Sequence, residues 1–188
     1  MQCFMVHPTS RFAVSLRRYA SGSACTGKFG YHNAVTGKLE EVQSAHNADR
    51  PVNGDVHPHD DPRWPTKCDH CDYVFTDGDT WQYRAEEIYI SEDGREMLLS
   101  DRTPGMMYFV TWRTARLSPH YESTWKEKRP PLQVVCPNGK EWCVDAISSN
   151  GDGWVVTGEP PSITCSPSIA VPGYHGFLQN GIFTADIG

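Results

Sequence analysis

The segment Cys68-Asp69-His70-Cys71 has the residue types and spacing best suited to chemistry in this chain. Two cysteines separated by two residues can aim both sulfurs at one ion from a single tight turn, leaving backbone amides free to hydrogen-bond the thiolates. Such a pair is half of a tetrahedral zinc site. The same spacing also serves redox chemistry, but that use places the pair at the start of a helix in a thioredoxin-like βαβ setting. Trp64-Pro65 before the pair and Asp72-Tyr73-Val74-Phe75 after it do not describe such a setting. Two inert thiols are the plain alternative.

Three groups of residues can complete the site. Cys25 and His32, in Cys-Thr-Gly-Lys-Phe-Gly-Tyr-His, lie far upstream and would close a Cys3His tetrahedron. His57 and His59 lie nearer along the chain, although alternate residues joined by Pro58 equally suit a solvated loop. Cys143, Cys165 and His175 could join the site or form a second one. Against that, Cys136 and Cys143 flank a turn and also read as small buried apolar residues, and His175 reads as a strand imidazole. The ligand set expected here is Cys25, His32, Cys68 and Cys71, with His70 pointing away.

A closed cysteine-rich site is structural, whereas a catalytic zinc keeps a position for water beside a carboxylate base. The carboxylates available for that second use are Asp55, Asp60 and Asp61, beside His57 and His59. No His-Glu-x-x-His, nucleobase-deaminase or Gly-x-Ser-x-Gly signature occurs. Gly22-Ser-Ala-Cys-Thr-Gly27-Lys28 has phosphate-loop spacing, but Phe29 stands where a hydroxyl must reach magnesium, and Gly30 to Asn33 are poor helix formers.

The elements that must position these residues are short. In 188 residues there are 16 Gly and 14 Pro, which leave little room for long helices, while 6 Trp, 8 Tyr and 7 Phe argue against disorder. The expected class is mostly β, a small α+β fold being the variant, with short hairpins and a zinc-knuckle module. The expected layout is a knuckle segment over 1–80 and a hairpin-rich region over 81–188, together forming one compact unit. Residues 44–66 read as a long polar loop. Asp93-Gly94, Asn138-Gly139 and Asn180-Gly181 each separate β-type runs and supply the positive φ that tight hairpin turns require, so at least two hairpins are expected. In the middle one, Val135, Trp142 and Val144 are expected to pack together. The run from Thr103 to Leu117 fits a short helix or a strand equally well.

The formal net charge of −6 and a pI near 5.7 give no electrostatic footprint for nucleic acid; Arg113, Arg116 and the group Lys126, Lys128 and Arg129 are the nearest to a local basic patch. No apolar run approaches the roughly 20 residues of a membrane span, and the start lacks the order of a signal peptide, so no export is expected. Seven cysteines, an odd number, suit metal binding in a reducing cytoplasm better than a disulfide framework.

The run Gly153 to Phe183 (GWVVTGEPPSITCSPSIAVPGYHGFLQNGIF) resembles a family of uncharacterised bacteriophage zinc-binding proteins, in which a Gly-x-Pro-Pro-x-Ile-Thr run precedes a Tyr-His-Gly-Phe-Leu-x-x-Gly end. Trp64-Pro65-x-x-Cys68-x-x-Cys71-x-Tyr73-x-Phe75 and Tyr31-His32-Asn33-Ala34 are similar to the amino-terminal half of that family. The family often carries Cys and His around the Trp-Val, whereas Gly153 and Thr157 stand there in this chain. The resemblance implies a phage origin and a metal site, and it names no reaction. The expected function is that of a non-enzymatic, zinc-stabilised structural or accessory protein that binds a protein partner, such as another virion protein, in the host cytoplasm or in the virion. A metal-dependent hydrolase with an open site and a nucleic-acid-binding zinc module are the alternatives.

Overall fold

The computed structural model describes residues 1–21, 25–27, 30–43, 59–111, 116–148 and 151–185. These residues divide into two compact units, one made of 8–88 and the other of 1–7 with 89–188. Both units are built mainly of strands, in agreement with the expected class.

In the 8–88 unit the strands are β1 (Phe4–Ala20, from Pro8 onward), β2 (His32–Val35), β3 (Glu40–Gln43) and β4 (Thr80–Ser91, as far as Ile88). Alternation drives β1. Phe12, Val14, Leu16, Arg18 and Ala20 are all buried, as expected when every second side chain faces one side of a sheet. β2 pairs antiparallel with the end of β1 (Arg17↔Val35 to Ala20↔His32), and β3 pairs with its middle (Arg11↔Gln43 to Val14↔Glu40). β4 lies along β1. Val14, Leu16, Trp64 and Tyr83 form one small core, and Ala20, Ala34, Cys68 and Phe75 form another. The buried Arg18 guanidinium packs on aromatic faces and donates to Thr76 O: its central carbon lies 3.6 Å from the Trp81 ring centroid and 5.2 Å from that of Phe75.

The second unit is a sandwich of two sheets. In one sheet, β6 (Met106–Phe109) pairs with the first residues of β1 in parallel (Phe4↔Met106, Met5↔Met107) and with β7 (Leu132–Val135) antiparallel, and β7 pairs with β8 (Glu141–Cys143). The short strand β5 (Glu96–Leu98) follows the turn at Gly94. The other sheet runs in the order β12-β11-β10-β9, made of β9 (Val155–Thr157), β10 (Thr164–Val171), β11 (Tyr174–Gln179) and β12 (Ile182–Ala185). Between the sheets lies the largest core, in which Met107, Leu132, Val134, Ile163, Ile169 and Leu178 are fully buried. The single α-helix among the described residues, α1 (Pro119–Thr124), begins at Ser118, whose hydroxyl accepts the Tyr121 N–H, with Pro119 in the first turn.

All three expected turns close hairpins. At Asn180-Gly181 both residues have positive φ (47° and 72°), and Gln179 pairs with Ile182, the geometry of a two-residue turn. In the middle hairpin the register corrects one expectation. Val134, not Val135, stands opposite Trp142, and Val135 packs with Met106 and Tyr108 on the other face. The cause is loop length: Cys136 N–H reaches Lys140 O across three residues, which reverses the face assignment that a two-residue loop would give. The run from Thr103 to Leu117 supplies the strand β6.

Candidate metal centre

The site begins with a tight turn. Thr66 to Cys68 and Tyr73 to Phe75 run antiparallel, joined by Cys68 N–H to Tyr73 O (2.9 Å) and Phe75 N–H to Thr66 O (2.9 Å), and Cys68 to Cys71 form the bend between them. This bend docks on β2: Asp69 N–H donates to Asn33 O (3.0 Å), and the Asp69 carboxylate accepts the Val35 N–H (3.1 Å). Because β2 pairs with the end of β1 through Ala20↔His32, the His32 ring is delivered to the same bend. Cys25 arrives from the connection between β1 and β2.

Cys25, His32, Cys68 and Cys71 come together, with one ligand atom from each and all four within 4.8 Å of one another. The Cys25 sulfur is 3.8 Å from both the Cys68 and the Cys71 sulfurs, and His32 Nδ1 is 3.2 Å from the Cys71 sulfur. A disulfide needs about 2.05 Å between sulfurs, so these separations exclude one. They match something else. A tetrahedron with metal–sulfur bonds of about 2.3 Å has sulfur–sulfur edges of about 3.8 Å, and with a nitrogen at about 2.05 Å its mixed edge is about 3.6 Å. The two sulfur edges agree with that frame, and the mixed edge is somewhat compressed.

The surrounding amides suit thiolates. Asn33 N–H and His70 N–H each lie 3.4 Å from the Cys68 sulfur, and Gly27 N–H lies 3.4 Å from the Cys25 sulfur. Burial pushes the Cys68 thiol up, but the His70 and Asn33 amides, aided by His32 and Cys25, more than offset it and hold the group down at about 6. At Cys71 the Tyr73 amide favours the thiolate, yet desolvation and the sulfurs of Cys25 and Cys68 leave it above its ordinary value. Three thiols this close cannot all ionise without a cation between them.

Two supporting features have no signal in the sequence beyond adjacency. The Tyr73 ring stacks flat on His32, with centroids 3.9 Å apart and an angle of 4°, and its hydroxyl donates to Asp79 (3.1 Å). This fixes the imidazole plane. Gly27 lies under His70, where a Cβ would come within 2.5 Å of the ring. His70 therefore covers the turn at Gly27 and lies outside the cluster, and Thr26 Oγ1 donates to His70 O (3.1 Å).

The other candidates lie elsewhere. His57 and Asp55 fall outside the described residues, as do Arg113 and Phe29. His59 stacks on Trp81, with centroids 4.5 Å apart. Asp61 takes a two-pronged contact from Arg63, and Asp60 is exposed. Cys165 is buried in the sandwich core, Cys143 is buried on β8 and His175 is exposed on β11, so the structure does not bring these three together as ligands. Among the described residues the cluster holds no carboxylate. In the sandwich unit, a cleft of about 370 Å³ is lined by Ser148, Trp154, Pro167 and Ser168 among others.

No protein-family model, curated protein or solved structure matches the chain. No helix is long and apolar enough to cross a membrane among the described residues.

Proposed function

We propose that the protein is a non-enzymatic, zinc-stabilised bacteriophage protein, structural or accessory, whose Cys3His centre holds the 8–88 unit in shape while its surface engages a protein partner. The observation that carries the metal half of this reading is the pair of 3.8 Å sulfur–sulfur separations, the tetrahedral edge that thiolates on zinc require. Three thiolates and one imidazole favour zinc over magnesium or calcium, which take oxygen. Four protein ligands complete the tetrahedron and leave no position for a reacting water, which supports a scaffold over a hydrolase. The phage assignment, and with it a place in the host cytoplasm or the virion, rests on the motif resemblance from Trp64 to Phe75 and from Gly153 to Phe183.

Metal analysis of the purified protein tests the centre: one zinc per chain is expected, and none in the Cys68→Ser/Cys71→Ser double variant. A metal-free parent that melts at the same temperature as the double variant would refute the proposal. Co-purification with virions tests the phage half.

A further inference from the structure

The sheet β9–β12 turns Val156, Cys165, Ile169, Leu178 and Phe183 toward the sandwich core. Its opposite face is unusual for this chain. Although 17 Lys and Arg and 23 Asp and Glu are spread along the sequence, none of them points outward from these four strands. The outward positions are Thr, Ser, Pro, Ala and Gln, with His175 the one titratable group, and three large apolar residues: Val155 (51% exposed), Phe177 (37%) and Ile182 (43%). Among the described residues, five large apolar side chains are exposed; these are three of them, and a fourth, Met1, is hydrogen-bonded to Phe183 at the margin of the same sheet. Phe177 stands opposite Thr184 and Ile182 opposite Gln179, which sets the two apolar side chains on the same face as diagonal neighbours on adjacent strands.

We propose that this face is a self-association surface, on which a second copy of the chain docks face to face. The inference rests on the reading above that the protein works by engaging a protein partner, and it names that partner. The charge pattern selects the occupant. A chain of net charge −6 repels its own copies over most of its surface, and this neutral face is where two copies can approach without opposing like charges. A strongly charged partner would leave its own charges unpaired here, whereas an identical neutral face would not. Depletion of charge around apolar anchors is also the composition of interface centres. Addition of a strand at the sheet edge is disfavoured: Met1 and Cys3 occupy backbone groups of Phe183 and Gly181 beside β12, and His120 and Trp125 contact Val156 O on β9.

Size sets the strength. Four strands about 4.8 Å apart and on average about five residues long cover roughly 19 by 17 Å, so two faces bury on the order of 700–900 Å², the range of weak, reversible contacts. A concentration-dependent dimer with a two-fold axis follows.

Sedimentation equilibrium of the full zinc-loaded chain from about 1 μM to about 500 μM tests this. The parent is expected to pass from monomer to dimer within that range, and more readily in about 0.5 M salt, which screens the repulsion between like-charged copies. Phe177→Asp is expected to weaken dimerisation at least tenfold with unchanged zinc content and melting temperature. Phe177→Thr and Ile182→Thr, which keep strand-forming residues, guard against a folding defect and should each weaken it severalfold. A parent that stays monomeric throughout, or a Phe177→Asp variant that associates like the parent, overturns the proposal, even if the parent then captures a different protein. Zinc content separates the two readings: a zinc-loaded monomer sinks the docking surface alone, and a zinc-free dimer sinks the metal centre alone.

Discussion

The seven cysteines fall into two environments, one in each unit. In the 8–88 unit, Cys25, Cys68 and Cys71 gather with His32 around one point, their sulfurs served by backbone N–H groups, and Cys68 is held down at about 6. In the sandwich, Cys3, Cys136 and Cys165 are buried among aliphatic and aromatic side chains, and Cys143 is buried on β8. There burial pushes Cys3 up to about 12 and Cys136 up to about 11, and raises Cys165 as well. The same residue type thus gathers in a cluster that could hold a metal ion where amides and sister thiols surround it, and is a small hydrophobe where hydrocarbon does. The units differ accordingly in what holds them. The sandwich has a broad core of its own, whereas the 8–88 unit divides its apolar contacts between two small clusters, one of which includes Cys68 itself. A metal cross-link is the usual supplement to a core that thin.

Denying the cluster its metal should separate the two units most strongly. Chelation, or Cys68→Ser, is expected to cost the 8–88 unit most of its folding free energy, since structural zinc contributes on the order of 10 kcal/mol in such modules. Amide exchange should then lose protection at Val14, Leu16 and Ala34, while Leu132 and Leu178 in the sandwich keep theirs; equal loss in both units would erase the distinction. The counterpart in the sandwich is Asp145→Asn. Asp145 is 1% exposed and takes two hydrogen bonds from Arg129 and one from the Leu132 N–H, so the variant leaves a buried guanidinium without its counter-charge. A loss of about 3–5 kcal/mol with unchanged zinc content is expected in denaturant titration.

Smaller effects separate the two kinds of cysteine. Cys165→Ser places a hydroxyl in an apolar pocket and should cost about 1–3 kcal/mol without touching metal stoichiometry. A change in zinc content would show that the sandwich thiols are ligands after all. Gly27→Ala should weaken metal retention against a competing chelator about tenfold, because its Cβ would displace the His70 ring. The smallest effect concerns acid. The Thr76 amide, with further help from Tyr73 and the Arg18 charge, holds Asp79 below the usual carboxylate range. The stability it gives is therefore present above the unfolded carboxylate pKa and is lost as pH falls through the folded value. Asp79→Asn should remove that acid-range slope and cost less than about 1 kcal/mol at neutral pH, as read from melting at a series of pH values.

Parts of this molecule were legible in the residues alone. Spacing made Cys68 and Cys71 a pair, because two residues between cysteines set the reach of one turn whatever surrounds it. Asn180-Gly181 specified a hairpin, because its backbone angles are a local property. The face of a strand was less accessible: a one-residue difference in loop length moved Val134 into the place expected for Val135. Long-range pairing was not accessible at all. β1 runs through Pro8 and the positive-φ Ser10, and its first residues pair in parallel with Met106 and Met107, about a hundred positions away.

The β-rich class, the turns and one knuckle follow from angles and side chains within a few residues of one another. Tertiary packing carries His32 to the knuckle through the Ala20↔His32 pairing, braces its ring with Tyr73 and buries the other four cysteines. It also decided that the outward residues of four separate strands make one charge-free face. These depend on strand register, which is set by the burial of distant residues against each other rather than by local conformation.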